Sequence, residues 1–523
     1  MSPTNKNYPS LCLPGCLLAI CVIIAGCGAS TEPFLPEFPV IDLVIEDGLV
    51  VDGLGGDAYE ADVVVVAGQI VFVGDSHFSD ADNDTRIARR IDADGRVVSP
   101  GFIDLHSHGD PLKTPAMENF LAMGVTTITL GQDGSSPGVE DLRLWLDEVR
   151  SNGLATNLAM FVGHGTLRTL SGIGRKVVPS EAELDDLVWR LEQSLEVAFG
   201  MSTGLEYNPG LNAEAHELRE LAKVVGRNDR MIMSHMRNED DDALEQSIDE
   251  LLALGHFARV HISHLKSVYG KGGARADALL AILNNARGKG VRVTADVYPY
   301  NASYTGIALL FPTWAKTLDQ FAIAQVERRD ELADYLRNRV MRRNGPQATL
   351  LGTPPFTGKT LEQLARELEK PFEEVLIDDI GPDGASGAYF IMDDELQTRL
   401  IIDDQVGICS DGSPTGFHPR GHGTFAKVIE RYVVAEKLLS LEEAVRKMTS
   451  HSAQILGLKD RGVVKVGKKA DLLIFDPAHV IAKATYSQPL QLAEGFDVVV
   501  VNGKVAREAA QVSKDFSGVV LSP

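Results

Sequence analysis

A chain of 523 residues is long enough for two or more packed cores, because single cores stop growing at roughly 250–300 residues. Its 44% apolar and 24% charged residues, with 49 Gly and 24 Pro in no repeating period, exclude a wholly disordered, collagenous or coiled-coil protein. The 50 Lys and Arg against 73 Asp and Glu give a formal charge of −23; such a surface repels phosphate backbones, so nucleic acid is not an expected partner.

Residues 1–10 are polar, and Leu11–Ile24 is an apolar run of 14. That is too short to span a bilayer, which needs about 20 residues, but it suits the core of a signal peptide. The run ends in Ile24-Ala25-Gly26-Cys27, which resembles the bacterial lipoprotein cleavage box. The resemblance implies removal of residues 1–26, acylation of Cys27, and export to the cell envelope on an N-terminal lipid anchor. Pro33, Pro36 and Pro39 make 27–40 an extended tether. Beyond Cys27 only Cys409 remains, which leaves no intramolecular disulfide framework and no cysteine-rich zinc cluster.

From 41 to 98 short β-branched runs alternate with Gly and Asp-Gly turns, the pattern of a small antiparallel sheet structure. Between 99 and 456 eight short apolar runs alternate with amphipathic stretches: Phe102–Leu105, Thr126–Leu130, Leu158–Val162, Gly200–Thr203, Met231–Ser234, Ala258–Ile262, Val291–Ala295 and Gly407–Cys409. Eight parallel βα units predict an α/β chain with a TIM-type (β/α)8 barrel. The stretch between the seventh and eighth runs exceeds any ordinary loop. Its helical patterns at 329–344 and 360–368 predict an inserted α-rich subdomain over about 303–400. Strands return from 457 to 523, so β pieces from both chain ends are expected to form one composite β-sandwich.

The chemistry concentrates at the ends of these runs. Residues i and i+2 of a strand share a face, so His106 and His108 are expected to point the same way, and two imidazoles suit zinc. His235 and His264 end the fifth and sixth runs, and Asp411 ends the eighth, where a carboxylate serves as a base. The same alternation pairs His235 with Arg237 and His264 with Lys266, and turns His261 toward the core or the helices. His164 and His422 are candidates to line the site; Cys409 reads as packing, and His216, His256 and His479 as surface. The acidic run 239–242 reads as a helix opening, where negative charge complements the dipole.

Two histidines on strand one, one each on strands five and six, and Asp on strand eight form a constellation that resembles the amidohydrolase superfamily. Within it the segments STGLEYNPG (202–210), SHMRNE (234–239), ISHLK (262–266), DVYPYNA (296–302), CSDGS (409–413) and HPRGHGTF (418–425) are similar to those of the N-acyl-D-amino-acid deacylases, the D-aminoacylase family. The resemblance spans roughly 41–510. It implies zinc-dependent cleavage of N-acyl-D-amino acids, with one or two ions. His235, His264 and Asp133 would hold one ion, and His106 and His108 a second or alternative one. Lys266 and Arg420 would hold the substrate carboxylate, helped by Tyr298 and Arg237. One departure stands out: the family's Gly-Asn-Cys-Gly-like turn after strand two reads Gly131-Gln132-Asp133-Gly134 here. Strand four offers no Lys to bridge two ions; Glu206 is the nearest ionisable group, so the bridging residue and the number of ions stay open. The alternatives are a related amide substrate, either a cyclic amide or a dipeptide with a D-residue, and a lipoprotein that binds a ligand without turnover.

Overall fold

The structure, a computed structural model, describes residues 40–75 and 86–523. The expected cleavage site, Cys27 and nearly all of the tether lie outside the described residues.

The barrel strands are β1 (Phe102–Asp104), β2 (Val125–Leu130), β3 (Asn157–Gly163), β4 (Gly200–Gly204), β5 (Met231–His235), β6 (Arg259–Ile262), β7 (Val293–Val297) and β8 (Val406–Ile408). They pair in that order, all parallel. Every residue of β2, β3, β4 and β5 is buried, as parallel strands covered on both faces must be. Inward residues such as Ile103, Phe161, Met231 and Met233 fill the barrel, whereas Phe102, Ile128, Ile232 and Ile262 pack toward the surrounding helices.

β1 and β8 meet beyond their own ends. The Asp411 amide donates to the His106 carbonyl at 2.8 Å, and the His108 amide donates to the Gly412 carbonyl at 2.7 Å. Below this seam the buried Asp104 carboxylate accepts from the Ser410 amide and hydroxyl, and burial pushes its pKa up to about 7.

The two chain ends join as expected. The strand Val97–Pro100 pairs antiparallel with Leu472–Phe475, placing both ends in one nine-stranded sheet. Alternation divides its faces: Leu472, Ile474, Val498 and Val500 share a core with Leu43, Ile45, Val63 and Val65. Leu473, Phe475, Val499 and Val501 pack into the core of the barrel. The sandwich is therefore fused to the barrel rather than tethered to it. The last residues leave it: Gly518 and Val520 bridge Leu154 and Leu158 at the start of β3, and Leu521 enters the barrel core.

The insertion after β7 is rich in helix, as expected, and adds a small sheet that the sequence pattern did not show. Helices Leu318–Glu327, Arg329–Arg342 and Leu361–Glu367 accompany a three-stranded antiparallel sheet of Ala302–Gly306, Ser386–Phe390 and Thr349–Leu351. Strands of three to five residues, two of them rich in Ser, Thr and Gly, carry too little alternation to be read in sequence.

Candidate metal centre

The C-terminal mouth of the barrel holds the expected histidines around one carboxylate. Asp133 Oδ1 lies 3.3 Å from His106 Nε2, 3.3 Å from His264 Nε2 and 4.0 Å from His235 Nδ1, and Oδ2 lies 3.4 Å from His108 Nε2. Asp411 Oδ1 adds a contact of 3.1 Å to His108 Nε2. Glu206 reaches only His235, at 3.2 Å from Nε2. The residue between the two histidine pairs is thus Asp133.

Local backbone geometry aims these groups. Asp133 (φ 53°), His264 (φ 39°) and Asp411 (φ 49°) all adopt left-handed conformations, which are uncommon for non-glycine residues and cluster at functional sites. The Asp133 turn can lie flat against its neighbours because Gly204 follows it in space: a Cβ there would stand 2.1 Å from the Asp133 carbonyl. Ser202 pins the turn, accepting from the Gly134 amide and donating to the Gly131 carbonyl. Asp296 on β7 accepts the His264 amide and pairs with inward-facing His261 at 2.9 Å. His261 is thus a core residue that braces the carboxylate under the site.

The electrostatics fit a cation. Burial opposes charge on Asp133, yet His106 and the other imidazoles outweigh it and hold the carboxyl well below its usual range. Burial and Lys266 push His264 down, but Asp411, Asp133 and Glu239 outweigh them and raise it to about 9. The Nε2 of fully buried His106 faces Asp133 and Asp411 at 3.3 and 3.8 Å without a hydrogen bond to either, a costly state that an ion between them would relieve. The donor atoms of His106, His108, Asp133 and Asp411 lie within 4.8 Å of one another, as do those of Asp133, His235 and His264. Imidazole nitrogen and carboxylate oxygen together suit zinc. The residues fit the metal.

A cavity of about 580 Å³ opens over the cluster, lined by His108, Asp133, Lys266, Asp411 and Arg420 among others. Arg420 Nη1 sits 2.7 Å from Asp411 Oδ2, so clamp and base share a contact. The Arg420 charge, opposing burial, holds Asp411 far below its usual range. Tyr298 is buried, 5.0 Å from Arg420 and 5.9 Å from Lys266, and burial pushes its hydroxyl up to about 12.

Several expectations change. Arg237 takes no part: it is spent on Glu250 at 2.9 Å and on the Leu211 and Ala213 carbonyls. β5 ends at His235, so strand alternation does not extend to position 237. The acidic run opens no helix, since the next one begins at Leu244. Glu239 and Asp240 are instead buried. Glu239 Oε1 takes Lys266 Nζ at 2.6 Å and lies 3.4 Å from His264 Nδ1. His164 lies behind the cavity wall, 2.7 Å from Glu217, which also pairs with Arg168. His422 is buried outside the cavity lining, and burial pushes it down to about 4. Cys409 is a buried free thiol whose pKa burial raises. His216, His256 and His479 are exposed. Sequence reasoning missed His418, which accepts the Arg420 amide on Nδ1 and donates from Nε2 to the Ala302 carbonyl. It lay inside a segment already noted, HPRGHGTF, without a role.

Comparison with known proteins agrees with this geometry. The Amidohydrolase family matches residues 315–507. An N-acyl-D-glutamate deacylase of Alcaligenes xylosoxydans xylosoxydans is 34% identical over 490 residues, 88% of this chain and 93% of that protein. A D-aminoacylase of the same organism is 30% identical over 519 residues, 92% of this chain and 97% of its own. Among solved structures, the N-acyl-D-glutamate deacylase of Bordetella bronchiseptica, complexed with zinc and a phosphonate mimic of the tetrahedral intermediate, superposes with a TM-score of 0.79. It shares 28% identity over 92% of this chain and 100% of that one.

Proposed function

This chain belongs to the D-aminoacylase family of the amidohydrolases, and we propose that its site carries out that chemistry with the residues described above. It is a metal-dependent hydrolase that cleaves the amide bond of N-acyl-D-amino acids, giving a carboxylate and a D-amino acid. The observation that carries this reading is a cluster of four imidazoles with Asp133 and Asp411 at the barrel mouth, under a cavity that two cationic clamps also line.

His235, His264 and Asp133 would hold zinc, and His106 and His108 would hold a second or alternative ion. When bound, zinc lowers the pKa of a water and polarises the scissile carbonyl. Asp411 takes the proton of the attacking water and delivers it to the leaving amine nitrogen. Lys266 and Arg420 hold the α-carboxylate, and Tyr298 fixes the space between them. A substrate carboxylate on Arg420 competes with Asp411 for the same guanidinium, so binding frees the base that the reaction needs. Metal, base and clamp form three fixed points around the α-carbon and select its hand. The test is release of free amine from N-acetyl-D- and N-acetyl-L-amino acids by purified protein, with and without zinc. Absence of zinc-dependent release from every D-substrate would overturn the reading.

The protein works at the cell envelope as an exported lipoprotein, held on a membrane through acylated Cys27. The apolar run Leu11–Ile24 followed by Ile24-Ala25-Gly26-Cys27 supports this. Cys27→Ser is expected to abolish metabolic labelling with fatty acid; labelling that survives would exclude the anchor.

A further inference from the structure

The insertion holds the clamp Arg420 from behind. Three consecutive residues, His418, Pro419 and Arg420, are fastened to alternate residues of the chain that enters it. The Tyr300 hydroxyl donates to the Pro419 carbonyl at 3.3 Å, His418 Nε2 donates to the Ala302 carbonyl at 3.1 Å, and Arg420 Nη2 donates to the Tyr304 carbonyl at 3.1 Å. Ala302 and Tyr304 belong to the first strand of the insertion, Ala302–Gly306. His418 makes a second bond: its Nδ1 accepts the Arg420 amide at 3.0 Å. Arg420 opens the helix Arg420–Lys427, and the first amides of a helix have no partner within it. The imidazole thus lies between the insertion strand and the backbone of the clamp, only 2% exposed. The rings of Tyr300 and Tyr486 stand edge-on to it, with centroids 5.4 and 5.1 Å from its own. An Nδ1 that accepts and an Nε2 that donates fix one neutral tautomer. Burial and the Arg420 charge agree with this, holding the ring well below its usual pKa.

We propose that His418 is a positioning residue for Arg420: it ties the clamp to the insertion strand and so sets how tightly the substrate's α-carboxylate is held. The inference rests on the deacylase reading and deepens it. The guanidinium has to exchange partners during binding, since Nη1 rests on Asp411 at 2.7 Å and the substrate carboxylate takes that place. A planar fork that gives up one partner keeps its direction only if its other holds stay put. Those holds are the Tyr304 carbonyl at Nη2 and the His418 ring at the backbone, and both lead to the same strand. Without the imidazole the buried Arg420 amide loses this partner, and the helix start and the strand are free to shift against each other. Asp411 is supported elsewhere, through the His106 carbonyl at the barrel seam. His418 therefore acts on the grip of the carboxylate and leaves the attack of water to the metal ligands and the base.

The experiment follows acetate release by the zinc-loaded protein from N-acetyl-D-leucine and N-acetyl-D-glutamate, and from their α-carboxamides, N-acetyl-D-leucinamide and N-acetyl-D-isoglutamine. In the unaltered protein, kcat/KM for the better-used acid is expected to exceed that for its carboxamide by about 30-fold or more. His418→Phe keeps a flat ring but neither nitrogen. It is expected to lower that ratio by about tenfold, through KM for the acid, while kcat, the carboxamide rate and zinc content are kept. His418→Asn sets its amide oxygen where Nδ1 stood and is expected to recover part of the ratio; His418→Gln reaches Ala302 but not the Arg420 amide and recovers less. A loss shared equally by acid and carboxamide in His418→Phe would make the ring purely structural and overturn the proposal; if that variant does not fold, the same result in His418→Gln decides it. So would an unchanged ratio in either, or a fall in kcat with KM kept. Equal use of acid and carboxamide by the unaltered protein would overturn the proposal without any variant, and leave the deacylase reading standing. If no acid is cleaved, both fail.

Discussion

The two halves of the metal cluster look alike in sequence, a pair of histidines each, but they are built differently. On β5 and β6, His235 and His264 are almost fully buried, and charged groups stand behind them: Glu206 at His235 Nε2, and at His264 Nδ1 the Lys266 ammonium, 2.8 Å away and itself tied to Glu239. After β1, the His106 ring has no such support, and the His108 side chain is 36% exposed. A histidine whose far nitrogen is held by a fixed charged neighbour, directly by a carboxylate at His235 and by the Lys266–Glu239 pair at His264, has its ring oriented before a metal binds. The β5–β6 half is therefore the preorganised one, and the half at the seam is the adjustable one, open to substrate and to Asp411.

The largest effect is expected where the halves meet. Asp133→Ala is expected to lose metal from both and abolish turnover, whereas Asp133→Cys, which restores the family's usual donor, keeps at least one ion. Elemental analysis beside turnover decides it, and full metal content in Asp133→Ala would show that the halves are independent. Next comes the seam side. Asp411→Asn is expected to lower kcat by about 10²–10⁴ while retaining metal. Arg420→Lys raises KM, and because the two side chains touch, the double variant falls short of the product of the single effects. Strict multiplicativity would mean that the contact has no part in turnover.

A smaller effect sharpens the contrast. Glu239→Gln is expected to weaken the β5–β6 ion by about 10–100-fold, read by chelator competition; an unchanged affinity would remove the basis for calling that half preorganised. The smallest is a pH effect on the metal-free protein. His264, raised to about 9, contributes stability that is fully present below its unfolded value of about 6.5. That stability is lost as pH rises through 9. Asp133 and Glu239, both depressed, contribute stability above their usual range and lose it on acidification. Urea melts of chelated protein are thus expected to weaken from pH 6.5 to 10, and zinc-loaded protein to weaken less, because the ion replaces the proton. Identical alkaline slopes would count against His264 as a ligand.

Much of this was legible in the chain because it is repetitive or local. Eight apolar runs separated by helical stretches leave few alternatives to a barrel, and all eight became strands or overlap them. The histidines were legible because they sit at run ends. Glu239 and Asp240 were not, because an acidic run is normally solvated and only distant partners reveal otherwise: Lys266 lies 27 residues away and Arg343 lies 103. Arg237 misled for the opposite reason, since a strand's period was carried past the strand's last residue. His418 acts through backbone groups, and no side-chain pattern announces that.

The seam has a consequence for how the enzyme comes into being. The backbone hydrogen bonds that join the first barrel strand to the last are made by His106, His108, Asp411 and Gly412, residues that include two imidazoles and the base. Shape and catalyst are thus completed in one event, after the chain has travelled some 300 residues from one side of the joint to the other. No shorter product of synthesis has the base beside the imidazoles. Loosening of the joint alone draws them apart, even with the other seven strand pairings intact. Deuterium uptake at the amides of His108 and Asp411 would therefore time the birth of activity during refolding, and mark its first loss on heating.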